Sequence, residues 1–324
     1  MIIVTGGAGF IGSRIISRLN EQGRNDIIVV DDLTEGIKMK NLAKIEIADY
    51  IDADEFIKNI KLDKNLGQIS ALIHMGACSS TTEWDGKYVM NRNYDYSKEL
   101  LHWSSNKSIS LVYASSASVY GDGSRGFTED TNAEHPINMY AYSKYLFDIY
   151  VRRTLPFLKN QVVGLRFFNV YGPHESHKGS QASVVFHANN QIKSTGKIKL
   201  FGSQDNIIAG EQKRDFVYVD DCANVAISMI ENKNISGIFN LGSGRAETFN
   251  SLARSVIDWH GYGEIEYIDF PDHLKGAYQN FTQADLSALR KAGYKKEFKT
   301  IKQGVFEYLD WLNPSSSTEP FKKK

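Results

Sequence analysis

Short apolar runs alternate with stretches of helical period through the first half of the chain. Residues 2–5 read as a β-rich run that stops at Gly6. Residues 10–20 then place Ile11, Ile15, Ile16 and Leu19 on one face of a helix. Further strands are predicted at 27–30, 45–47, 71–74, 111–114, 162–165 and, much later, 237–241. Several of these runs are apolar without alternation, and they are separated by helical segments. Strands of that kind are buried on both faces, so a parallel sheet is expected.

Residues 172–213 break the pattern. They are richer in Gly, Ser, Asn, Gln and His and show little periodicity. From about residue 248 the chain reads as helix, strand (265–268) and two more helices (285–292 and 301–312). The expected architecture is α/β: a Rossmann doubly wound parallel sheet with a smaller α/β C-terminal lobe for substrate. Residues 1–171 with about 214–245 are expected to form the dinucleotide-binding domain. About 172–213 and 246–313 are expected to form the lobe. The tail 314–324, rich in Pro, Ser and Lys, is expected to be disordered. There is no internal repeat.

Composition narrows the function. Over 324 residues, 38 Lys plus Arg balance 38 Asp plus Glu, which argues against a nucleic-acid partner. No apolar run approaches the ~18 residues of a membrane span, so no membrane partner is expected. Met1 leads straight into a strand, which does not read as a signal peptide. The two cysteines, Cys78 and Cys222, are far apart and in no CxxC pattern. They read as buried, reduced thiols in a cytoplasmic protein, not as a disulfide or a zinc site.

Two motifs carry chemistry. Gly6, Gly9 and Gly12 lie in TGGAGFIG, between the first strand and the first helix. Glycines there permit a tight turn and close approach of backbone to a pyrophosphate at a helix N-terminus. Asp31 ends the second strand, where a ribose contact is expected. Asp31 and Asp32 suit a free ribose 2′-hydroxyl and repel a 2′-phosphate. Lys38 offsets that repulsion if its loop folds back over the adenosine. NADP is the expected cofactor, with NAD as the alternative. Asp49 is a further candidate near the adenine.

The second motif is YxxxK, Tyr140 to Lys144, which puts both side chains on one helix face. A lysine ammonium beside a phenol is expected to lower the phenol's pKa. Tyr140 then accepts a proton from an alcohol while hydride leaves for a nicotinamide. The run 113–121, YASSASVYG, places serines at the end of a core strand, where open α/β sheets bind ligands.

TGGAGFIG, ASSASVYG, YAYSK and KRDFVYVDD, in that order, resemble the extended short-chain dehydrogenases/reductases, the class of nucleotide-sugar epimerases and dehydratases. The resemblance implies Ser116, Tyr140 and Lys144 as the catalytic trio and Arg214 as the grip on a nucleotide diphosphate. It implies that Phe10, Ile11, Met75, Gly76, Ala77, Cys78, Ser79, Asn93, Tyr140 and Lys144 line the cofactor.

Three longer strings, 76–88, 173–180 and 275–285, are similar to the ADP-L-glycero-D-manno-heptose 6-epimerases. The likeness runs from residue 1 to about 313. It implies inversion of C6 of an ADP-heptose by transient oxidation to a 6-keto intermediate, for lipopolysaccharide core heptose. Lys178, which alone reads as a surface lysine, becomes the second catalytic acid–base and a cofactor contact. Val170 flanks the nicotinamide. Asn169, Ser180, His187, Phe201, Gly202, Ser203, Gln204, Arg214 and Tyr278 contact substrate, and the assembly is a homo-oligomer, a pentamer. His174 and His177 have no third ligand, so no metal is expected.

The chain departs from that pattern at Asp32, where the family has Asn, and at Ala53, where it has Lys. Arg92 replaces another Asn. The stretch 205–212 is longer than the family's loop. Rival readings are a 4-epimerase and a dinucleotide-binding sensor without catalysis. The intact Ser116, Tyr140 and Lys144 disfavour the sensor. An acid pair typical of a dehydratase is replaced by Ala117 and Ser118.

Overall fold

The computed structural model describes residues 1–203, 207–270 and 279–314. Gln204, Tyr278 and nearly all of the tail lie outside the described residues, as do positions 205 and 206 of the long loop. Strands are β1 (Ile2–Thr5), β2 (Ile27–Asp31), β3 (Asp49–Asp52), β4 (Ala71–His74), β5 (Ser110–Ser116) and β6 (Val162–Phe167). They continue as β7 (Asn169–Tyr171), β8 (Lys197–Phe201), β9 (Lys213–Tyr218), β10 (Gly237–Leu241), β11 (Ala246–Thr248) and β12 (Glu264–Ile268). The first helices are α1 (Phe10–Glu21), α2 (Met39–Leu42), α3 (Ala53–Lys61), α4 (Gly86–Met90), α5 (Tyr96–Asn106) and α6 (Met139–Thr154). The later ones are α7 (Val184–Thr195), α8 (Val219–Glu231), α9 (Phe249–His260), α10 (Ser287–Lys291) and α11 (Ile301–Leu312).

Seven strands form one parallel sheet in the order β10-β6-β5-β4-β1-β2-β3. Alternate residues of each central strand serve opposite faces. Ile2 and Val4 pack with Ile15, Ile16 and Leu19 of α1 and with α8. Ile3 packs with Phe56 of α3, Leu100 and Leu101 of α5, and Phe147 and Val151 of α6. This is the Rossmann arrangement, and its strand order reverses direction between β1 and β4. Ligands bind at such a point, outside the strands' carboxyl ends. A third apolar layer joins α7, α9 and α11 to β8 and β9. It carries a three-stranded sheet β11-β9-β7 and a pair β12-β8.

Two expectations shift. Residues 45–47 are not a strand; Ile45 and Ile47 pack from a loop against the first layer. The strand lies just beyond, at the sheet edge, and its sequence DYID is too polar to read as one. Within 172–213 the structure adds α7, whose buried stripe of Val185, Ala188, Asn189 and Ile192 includes a small and a polar residue. That mixture hides the helical period.

Candidate active site

The glycine loop closes over the end of β1. Gly6 has φ +66°, and a Cβ there would meet the Gly76 amide nitrogen at 2.5 Å. A Cβ on Gly12 would stand 2.1 Å from the Gly6 carbonyl oxygen. Both positions therefore require glycine. Helix α1 starts at Gly9 with no side-chain cap and no acid in its first turn, so its positive end is left for an anion. These features fit a dinucleotide pyrophosphate. The partly buried side chains of Ile11 and Met75 pack against the apolar layer.

Beside the loop is a cavity of about 170 Å³ lined by Gly6, Asp31, Asp32, Lys38, Gly76, Ala77 and Cys78. Asp31 is already engaged. Its Oδ2 accepts from the Ala8 amide at 2.8 Å, and its Oδ1 accepts from the Asp32 amide at 2.8 Å and from Lys38 Nζ at 3.1 Å. Lys38 also donates to the Asp32 carbonyl at 2.8 Å. Thr34 holds Asp32 below its ordinary pKa by hydrogen bonding. Asp49 does not line this cavity. It pairs with Ile28, three residues before Asp31, and it is Asp52 that lies beside Asp31. Cys78 is half-buried in the cavity wall, while Cys222 is fully buried.

Asn93 lies in a π-helical turn, Asn91–Asp95. Its side chain accepts from the Cys78 amide at 2.8 Å and donates to the Cys78 carbonyl and to Ser143 Oγ, each at 3.0 Å. It thus fixes the wall between the cofactor cavity and α6.

Ser116, Tyr140 and Lys144 come together where β5 ends and α6 begins. Asn138 caps α6 by accepting from the Ala141 amide at 2.8 Å, which sets the turn that presents Tyr140. The Ser116 hydroxyl neighbours the Tyr140 phenol and acts to lower its pKa. Ser116 Oγ also accepts from Ser118 Oγ at 2.9 Å. Lys144 does not lower the phenol as expected. Its Nζ donates to the Ala114 carbonyl at 2.8 Å, and burial holds Tyr140 above its ordinary pKa, with Ser116 opposing. Burial pushes Lys144 itself down to about 8.

Lys178 belongs to another wall. It sits in a turn, Ser176–Gln181, with its ammonium 5.6 Å from the centre of the Phe10 ring. Burial lowers its pKa, and Glu175 acts the other way. Glu175 is 1% exposed and closes the turn from inside. It accepts from the Gly172 amide at 3.2 Å and from Ser183 Oγ at 2.7 Å.

Lys178 lines a cleft of about 660 Å³ with Ser79, Asn169, Val170, Ser180 and Arg214. A second cavity of about 330 Å³, lined by His187, Phe201 and Gln212, shares Val184 and Phe249 with the cleft. Of the expected substrate residues, Asn169, Ser180 and Arg214 line the cleft, and His187 and Phe201 line the second cavity. Ser203, which is exposed, and Gly202 are not among the lining residues of either cavity. Ser203 Oγ accepts from the Ala209 amide at 3.0 Å, and the Gly202 amide donates to the Ile268 carbonyl at 2.8 Å.

Sequence reasoning missed Phe249, which stands between the two cavities 5.8 Å from the Arg214 guanidinium. No motif marks it. It also missed Tyr88 and Tyr96 in the cofactor cavity and the bracing role of Glu175. Glu175 was discoverable as an acid inside an otherwise basic and polar turn. Among the described residues no cluster of three His, Cys, Asp or Glu side chains is placed to hold a metal, and no helix is long and apolar enough to cross a membrane.

The sequence model of the NAD dependent epimerase/dehydratase family matches residues 2–242. A curated protein of Alkalilimnicola ehrlichii named ADP-L-glycero-D-manno-heptose-6-epimerase is 54% identical over 320 residues, 99% of this chain and 100% of that protein. The crystal structure of Helicobacter pylori ADP-L-glycero-D-manno-heptose-6-epimerase superposes with a TM-score of 0.82 at 29% identity, covering 96% of each chain. UDP-glucose 4-epimerase of Thermotoga maritima, solved with UDP-glucose, gives 0.81 at 28% identity, covering 97% of this chain and 99% of that one.

Proposed function

The chain belongs to the NAD dependent epimerase/dehydratase family, and we propose that within it the chain is the epimerase that inverts C6 of ADP-D-glycero-D-manno-heptose to the L-glycero form. One observation carries the choice: Lys178, a half-buried lysine of lowered pKa, shares the substrate cleft with Arg214 and stands apart from the Tyr140 cluster. An inversion needs a proton-handling group for each face of the sugar carbon, and we assign Tyr140 to one face and Lys178 to the other.

The C6 hydrogen has no neighbouring carbonyl to acidify it. A bound nicotinamide supplies a reversible hydride acceptor for that carbon. We assign the base role to Tyr140 in its phenolate form, which takes the hydroxyl proton as C6 becomes a carbonyl. Arg214 holds the diphosphate while the ketone turns its other face. Lys178 then supplies the proton to the new alcohol as hydrogen returns to C6. No net oxidation results. Lys144 supports the Tyr140 helix turn through the Ala114 carbonyl.

We read the dinucleotide as NADP, with NAD as the alternative. Lys38 neutralises Asp31, and Arg92 adds a second cation to the same cavity wall. We read residues 1–171 with about 214–245 as the unit that holds it. The reading extends to a cytoplasmic homo-oligomer supplying heptose for lipopolysaccharide. The test is direct: purified protein and the D-glycero substrate, without added reductant, followed by NMR at C6. Conversion to the L-glycero epimer is expected. No change at C6 beside an active control enzyme rejects the reading.

A further inference from the structure

Asn41 is an amide with only 5% of its surface exposed. It lies on α2, three residues after Lys38. Its Nδ2 is 2.9 Å from the Ala8 carbonyl oxygen, 3.1 Å from the His174 carbonyl oxygen and 3.2 Å from His177 Nδ1. An amide has two hydrogens, so three acceptors share them. Ala8 belongs to the glycine loop, and His174 and His177 lead into Lys178. Asn41 therefore joins three separate segments. Burial keeps His177 below its ordinary pKa, which suits a neutral ring that accepts.

Glu175 ties the turn internally and to Ser183, and His174 adopts φ 75°, a left-handed conformation uncommon for a residue with a Cβ. Ser13 Oγ, on α1, lies 2.8 Å from His174 Nδ1, and the His174 ring packs 5.5 Å from that of Trp311 on α11. Asn41 adds an attachment to the segment whose Lys38 grips Asp31 and Asp32.

We propose that Asn41 is a positioning residue that fastens the Lys178 turn to the glycine loop and the Lys38 segment, so that the dinucleotide-binding half aims Lys178. The proposal rests on the reading of Lys178 given above. It predicts that loss of the amide's donors frees the turn while leaving the cofactor cavity intact.

The test uses full-length Asn41→Ala and, should that variant fold poorly, Asn41→Asp, which keeps the size and loses the donors. Lys178 acetylation by acetic anhydride is followed against pH by peptide mass spectrometry, with exposed Lys159 as the internal control. In the variants the Lys178 midpoint should rise from its lowered wild-type position. The kcat for the ADP-heptose should fall about 10²-fold, the loss typical of a misplaced catalytic group, with KM and bound dinucleotide per chain unchanged. An unshifted Lys178 midpoint in the folded variants overturns the proposal, and so does loss of dinucleotide in step with kcat. A shifted midpoint in a protein whose wild type does not epimerise would leave the fastening intact and remove the assigned reaction.

Discussion

Arg166 and Asp148 face each other at 2.9 Å with neither side chain exposed to water. The same carboxylate accepts from Ser115 Oγ at 2.8 Å and from the Tyr113 hydroxyl at 2.9 Å. It therefore ties β5, which ends in Ser116, to α6, which carries Tyr140 and Lys144. Glu134 completes the charge balance by pairing with both Arg166 and Arg152. Breaking a buried pair from one side leaves the other charge uncompensated. Asp148→Asn should cost about 3–5 kcal/mol of stability, read as a lower urea midpoint. A midpoint equal to wild type would show that this pair does not hold the two elements together.

Lys144 makes stability depend on pH. Burial moves its folded pKa from 10.5 to about 8. Between those values the unfolded chain binds more protons than the folded one. Stability from this group therefore rises with pH across that window, and the cost of the buried charge is fully present below it. Lys144→Met should flatten the rise. Thermal midpoints of the two proteins from pH 7.5 to 10.5 test this, and parallel curves would contradict it.

Tyr140→Phe and Lys178→Met should each lower kcat by about 10²–10⁴-fold, the usual contribution of a positioned acid–base. Both should keep their fold, and the dinucleotide bound per chain, measured beside kcat, separates lost turnover from lost cofactor. A Lys178→Met enzyme with wild-type turnover would take that residue out of the reaction.

On the NADP reading proposed above, Arg92 in the cavity wall is assigned to the 2′-phosphate. Arg92 pairs with Asp54 at 2.7 Å and is 30% exposed. Arg92→Ala should weaken NADP more than NAD, by about tenfold or ~1.4 kcal/mol. Titration of each dinucleotide against the stripped protein gives the ratio, and mass spectrometry of released nucleotide identifies the native one. Equal losses for both would assign Arg92 to the surface.

The central strands were legible because they are buried on both faces and so lack polar interruption. β10 was placed to the residue. The edge strand β3 was missed because an edge tolerates DYID. Tyr140 with Lys144 was visible through helical spacing, and Gly6, Gly9 and Gly12 through their place between strand and helix. Asn41 was not visible. Its role depends on Ala8, 33 residues away, and His177, 136 residues away, converging on one amide. Nor does spacing reveal that Lys144 would meet the Ala114 carbonyl, because strand register decides that.

The large sheet ends on β10, which pairs with β6 only after 69 intervening residues, 168–236, have formed β7, α7, β8, β9 and α8. A ribosome-bound chain thus displays an open β6 edge until residue 241 has emerged. Unpaired edges recruit neighbouring chains. Synthesis of this protein consequently includes an interval of exposure to misassembly, and a truncation before residue 237 leaves that interval permanently open.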